Sequence, residues 1–160
     1  MGKTTDVSAA VRRGHALLSE HGYAYRTTSR DLLRWLHADT PYPNPTIPEV
    51  LANPYTVVHE IVEIAEVRRM HVRFTKDVIA KHMKHVQAAH LIAAEVEMDI
   101  AFRENDLNYL RKRLEHIRGW CEDPLLAPDL RSTYRAFRRR IEGRFRTMAS
   151  HTRSPETGAG

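Results

Sequence analysis

From Ile79 to Ile100 the chain repeats residues at spacings of four and three: Ile79, Met83, Val86, His90, Ala93, Glu97 and Ile100. That spacing sets all seven on one stripe of an α-helix, and so long a stripe faces another helix. No alternation of period two runs long enough to read as a strand. The pattern predicts an all-α fold. The 160 residues suffice for one compact domain with its own core. At 42% apolar and 28% charged residues, the composition is that of a globular chain and not a disordered one.

Breaker and capping residues divide the chain into six helical segments. The first runs from about Asp6 to His21 and stops at Gly22. Ser29 is placed to cap a short second helix, "RDLLRWLHA". Five prolines between Pro41 and Pro54 exclude a long helix there and predict an extended strap with one short turn at Pro48–Ala52. Asn53 caps the third helix, Pro54 takes its first position, and it runs to about Met70. Thr75 caps a long fourth helix that reaches about Arg103. Asn105 or Asp106 opens the fifth, which stops before Pro124; Pro128 opens the sixth, which fades near Ala149. The expected architecture is an antiparallel bundle of the four long helices, third to sixth, with the two N-terminal helices across one side. It forms a single domain over residues 1–149, with the strap at 39–54 inside it and a tail at 150–160.

Several classes fall away. No apolar run approaches the ~20 residues that cross a bilayer. The start of the chain shows no apolar leader region, and "MGKTTD" fails the myristoylation pattern at Asp6. "GKTT" lacks the strand and upstream glycine of a phosphate loop. The lone Cys121 excludes an internal disulfide and a thiolate cluster. The expected location is the cytoplasm, with no membrane partner.

Two members of the fourth-helix stripe are wrong for a core, His90 and Glu97, two turns apart on one face. His90 sits inside "AAHLIAA", apolar on every side. Burying an imidazole and a carboxylate is costly unless each is satisfied, by a metal, a ligand, a side chain or water. A histidine and a carboxylate in a helical core is also the layout of carboxylate-bridged metal sites, although Glu-x-x-His on paired helices is absent here. On the third helix, Val58, Ile61, Val62, Ile64 and Ala65 form an apolar face. His59, Glu63 and Glu66 share the opposite stripe, with Glu60 at the boundary. In an isolated monomer that stripe is expected to face water, unless another layer or subunit covers it. His82 and His85, at i and i+3 on the fourth helix, with His71 expected at the helix turn close by, offer a further set of donors to combine with Glu63 or Glu97.

"EIVEIAE", Glu60–Glu66, resembles the first acidic helix of the MazG-like all-α NTP pyrophosphohydrolases, which pair an EExxE helix with an ExxD helix. Here the first motif reads "HEIVE", with His59 at the leading Glu and with Glu60 and Glu63 at the remaining acids. The second falls in "AEVEMDIAF": Asp99 matches the Asp, Val96 stands at the Glu position, and Glu95 is one residue early. The resemblance implies carboxylates holding Mg²⁺ against a triphosphate, α–β phosphate hydrolysis, and an oligomer that closes over the nucleotide. His59 would favour a transition metal instead.

Formal net charge is +5, and residues 131–146 alone hold seven Arg against one Glu. The basic character therefore belongs to the sixth helix. There Tyr134, Phe137, Ile141, Phe145 and Met148 form a core stripe and the arginines occupy the other faces. A phosphate-rich partner suits such a surface. "RKRLEH", Arg111–His116, is also similar to the R-x4-6-H signature of HEPN-type helical ribonucleases, with Lys112 in place of the usual Asn.

Two functional readings follow. In the first the protein binds a divalent metal, Mg²⁺ or a transition metal if histidines ligate, with nucleoside-triphosphate hydrolysis as the accompanying chemistry. Glu60 and Glu63 are then ligands, His90 and Glu97 are ligands or their supports, and the chain is a homo-oligomer. In the second it is a non-enzymatic helical adaptor whose Arg135, Arg138 and Arg139 bind RNA, nucleotide phosphate or a protein partner.

Overall fold

The structure, a computed structural model, describes residues 6–43 and 45–151. Among these every regular element is a helix and there are no strands, as the periodicity predicts. The opening "MGKTT" and the tail beyond His151 lie outside the described residues; Ser150 and His151, expected in the tail, still belong to the last helix. Packing groups the chain into two compact units, Met1–Ile100 and Ala101–Gly160.

In the first unit, α1 (Val7–Glu20) begins where the Asp6 side chain accepts the amide of Ala9. It ends in a Schellman motif: Gly22 sits at φ 83°, its amide reaches Ser19 and the Tyr23 amide reaches the Leu18 carbonyl. The second helix, α2 (Ser29–Leu36), is capped by Thr28 and not by Ser29. Asp31 explains the shift, because its carboxylate returns to the Thr28 amide while the Thr28 hydroxyl takes the Asp31 amide. The strap follows, carrying the single short helix α3 (Ile47–Leu51). It is packed down, since Gln87 donates to the Tyr42 hydroxyl at 3.3 Å and the Asp39 amide bonds the Lys76 carbonyl.

Helix α4 (Pro54–Arg69) starts as expected, with Asn53 capping and Pro54 first. It is the centre of this unit. α1, α2 and α3 all pack against it, and Val58, Ile61, Val62, Ile64 and Val67 are fully enclosed. The α1 crossing is close: a Cβ on Gly14 would stand 2.7 Å from the Ile61 Cδ1 and 3.0 Å from the Val57 Cγ1.

The long helix expected from Thr75 to about Arg103 is two helices, α5 (Val78–Lys81) and α6 (Met83–Arg103), broken at His82 (φ −123°, ψ 33°). The first turn is weakly founded. It opens on β-branched Val78 and Ile79, and the Thr75 hydroxyl bonds the Asp77 carboxylate, leaving α5 without a side-chain cap.

In the second unit, α7 (Leu107–Glu122) is capped by Asp106. A 3₁₀ turn at Pro128–Leu130 leads into α8 (Arg131–His151), which packs on α7. Leu110, Leu114, Ile117, Tyr134, Phe137 and Ile141 are buried, while Phe145 and Met148, expected in the same stripe, are half-buried. No helix of the described residues is long and apolar enough to cross a membrane.

Candidate metal centre

The stripe expected to face water does not. His59, Glu63 and Glu66 are 2%, 5% and 1% exposed, buried within the first unit of a single chain. The physical reason lies in α4 itself. Apolar side chains occupy every side of the helix, so it has no wet face, and a helix apolar all round belongs in the interior. The polar residues go in with it and need partners.

The partners come from α6. His59 donates its Nδ1 hydrogen to Glu97 Oε2 at 2.6 Å, and Glu97 is fully buried. That bond fixes the imidazole so that Nε2 points the other way. There it meets His90 Nδ1 at 3.0 Å and Glu63 Oε2 at 3.5 Å. The second Glu63 oxygen, Oε1, lies 3.4 Å from His90 Nδ1. The two rings stand edge to face, 4.6 Å between centroids. Glu97 and Glu63 therefore flank the pair, and His90, with its side chain 26% exposed, is the member open to solvent.

Burial alone would push the Glu63 carboxyl up. The charge of His90 and the hydrogen bonds of His59 and His90 outweigh it and hold Glu63 down at about 2. Glu63 is thus an anion at neutral pH. Together with Glu97 it calls for positive charge in the interior, from protonated imidazoles or from a cation.

Among the described residues, one group of three or more metal-ligating side chains converges to within 4.8 Å: His59, Glu63 and His90. Of the residues singled out from sequence, the structure brings together Glu63, His90 and Glu97. It leaves out Glu60, which is half-buried beside them on α4. Of the second acidic motif, Glu95 is exposed and Asp99 accepts the Tyr23 hydroxyl at 2.8 Å. His82 and His85 stand edge to face at 6.0 Å, and His71 is exposed at the end of α4.

His59, Glu63 and Glu66 were all expected on the wet side of α4, and all three lie inside. The available signal was the apolar content all round α4. One turn beyond Glu63, Glu66 is held separately. Arg69 lies 2.6 Å from its Oε2, close but poorly aligned for a hydrogen bond. Burial, and then the Glu66 charge and hydrogen bond, raise the Tyr25 hydroxyl above its usual range.

On α8 the arginines divide. Arg138 pairs with Glu142 at 3.1 Å, which also takes Arg118 of α7 at 2.9 Å. Arg144 lies over the Phe102 ring and Arg140 over Phe137. Arg135 and Arg139 are exposed, one turn apart. Arg111 and His116 are exposed on α7, with Arg113 donating to His116 Nδ1 at 3.3 Å. Compared with known proteins, the chain matches no family model, no curated protein and no solved structure.

Proposed function

We propose that the protein binds one divalent transition-metal ion between α4 and α6, with His59 Nε2, Glu63 and His90 Nδ1 as ligands and Glu97 as the support of His59. The observation that carries this is the spacing of the donor atoms. Their closest approaches are 3.0, 3.4 and 3.5 Å. Two ligands at 2.0–2.1 Å from a tetrahedral ion are about 3.3 Å apart. Hydrogen bonds from His59 and His90 to Glu63 also hold the cluster, but at 3.5 and 3.4 Å both are at the long end of the hydrogen-bond range.

Three further features support the reading. Charge balances, since two buried carboxylates and two neutral imidazoles leave a deficit that a divalent ion fills. The carboxylate behind His59 is the usual support of a metal-bound histidine and raises its basicity. For His90 to ligate, its ring hydrogen only has to sit on Nε2. Two imidazoles with one carboxylate suit Zn²⁺ or Fe²⁺ better than Mg²⁺. Three protein ligands leave a position for water or substrate, and the half-exposed His90 marks the side from which it would enter. Water activation is the chemistry such a position offers, and a hydrolase is the enzymatic form of this proposal.

The test is metal binding by Glu63→Gln. The amide keeps the shape and removes the charge, so affinity should drop at least tenfold while helicity is unchanged. Unchanged affinity removes Glu63 from the site.

A second reading has its own observation. Arg131, Arg135 and Arg139 follow one another at i, i+4 and i+8 on α8, and no acid of the described residues pairs with them. Such a stripe suits a phosphate backbone. RNA binding that weakens with salt and with Arg135→Ala/Arg139→Ala supports it; Arg138→Ala reports instead on the Glu142 pair.

A further inference from the structure

A second site lies on α2. The first unit contains a cavity of about 700 Å³, within the size range of small-ligand pockets. One stripe of α2 forms its wall: Arg30, Leu33, Arg34 and His37 recur at three and four. The other wall is the segment before α5, with Phe74 and Lys76. The cavity shares no residue with the histidine–glutamate cluster.

Its lining divides into two chemistries. The floor is apolar. Phe74 stacks on the Trp35 indole at 5.4 Å between centroids and 29° between planes. The Arg68 guanidinium, 5.0 Å from the centroid of the Phe74 ring, is anchored by Asp31, so the floor is held from behind. The rim is cationic. Arg30, Arg34 and Lys76 line it, and no acidic residue does. Neither Arg30 nor Arg34 forms an ion pair among the described residues, and both are exposed. Lys76 is only 3.8 Å from Asp39, with both groups mostly in water. His37 donates Nδ1 to the Leu33 carbonyl at 2.8 Å, which leaves Nε2 as its free edge.

Like charges at i and i+4 disfavour a helix on their own, and here they converge on a concave surface with a third cation opposite. A cleft lined by one sign of charge concentrates the opposite sign. An apolar floor beside such a rim selects for a ligand with two ends. We infer that this cavity binds a small phosphate monoester bearing a flat apolar group, of the nucleoside monophosphate class. Its phosphate lies among Arg30, Arg34 and Lys76, and its ring lies against Leu33, Trp35 and Phe74. A guanidinium pair recognises phosphate through paired N–H donors, which a single lysine cannot supply.

The probe is AMP, titrated calorimetrically into the full chain at low salt, with adenosine and inorganic phosphate in parallel. The expected result is saturable AMP binding, with adenosine and phosphate each at least tenfold weaker. Arg30→Ala/Arg34→Ala should lose at least tenfold in affinity, while Lys112→Ala on α7 should lose nothing. Because both arginines are exposed, circular dichroism should show the double variant folded. In Trp120→Phe, which leaves Trp35 as the sole indole, the same titration should change the fluorescence. No saturable binding of AMP at millimolar concentration overturns the inference. So does binding that the double variant retains, or phosphate binding as tightly as AMP. Loss of the metal site leaves this result untouched, so the two proposals fail separately.

Discussion

Glu97 and His59 meet at 2.6 Å with almost no water around either. At that burial, the carboxylate decides which imidazole nitrogen is left for other work. Glu97→Gln should therefore keep the fold and weaken metal affinity by about 10- to 100-fold, read by competition with a chromophoric chelator. If Glu97 served only packing, the amide would change nothing. Asp31 provides a test of a different kind. Burial would raise its carboxyl, but the hydrogen bonds from Arg68 and Thr28 hold it at about 2, below the ordinary 3.8. A lowered carboxyl stabilises the fold above its unfolded value, and that stability disappears as pH falls from about 4 towards 2. Asp31→Asn should cost about 1 kcal/mol at neutral pH, mainly through the lost charge in the hydrogen bonds with Arg68 and Thr28. Urea midpoints of the two proteins should converge as the pH drops through that window. A gap that stays constant would show that the Asp31 charge is irrelevant.

Helix ends are written locally, and most were legible. Asp6, Asn53 and Asp106 cap where their side chains imply, and Gly22 stops α1, because each depends on neighbours within four residues. Two other helices end in the same Schellman geometry without glycine. His71 and Asn105 sit at φ 60° and 58°, with their hydrogen bonds closing as at Gly22. Histidine is strained there, so His71→Gly should raise stability by about 0.5–1 kcal/mol in chemical denaturation. A loss of stability would mean that the ring makes contacts worth more than the strain. The break at His82 was not legible, because no glycine or proline marks it. At the α1–α4 crossing, Gly14→Leu should destabilise by about 1–3 kcal/mol, since Ile61 and Val57 leave no room for a side chain. Unchanged stability would mean that α1 can lift away.

At the scale of the whole chain, the all-helical class was legible from periodicity, and the sidedness of α4 was not. Reading a charged stripe as a wet face assumes that a helix has only one partner. Here α1, α2 and α3 pack on α4, and α6 supplies partners for its polar groups. His59 and Glu97 are 38 residues apart, so no local pattern could join them. His90 and Glu97 were singled out because polar residues in an apolar stripe need an explanation, and Glu63 because "HEIVE" resembles an acidic metal-binding helix. What remained out of reach was that they share one explanation. A metal ion there links two helices distant in sequence, so it should stabilise the fold by about 2.7 kcal/mol at a hundredfold excess over Kd. The most direct test is elemental analysis by plasma mass spectrometry after Zn²⁺ loading and desalting, with the wild-type chain beside His90→Gln. The account predicts one equivalent per wild-type chain and almost none on the variant. Equal metal on both, or none on either, would contradict it.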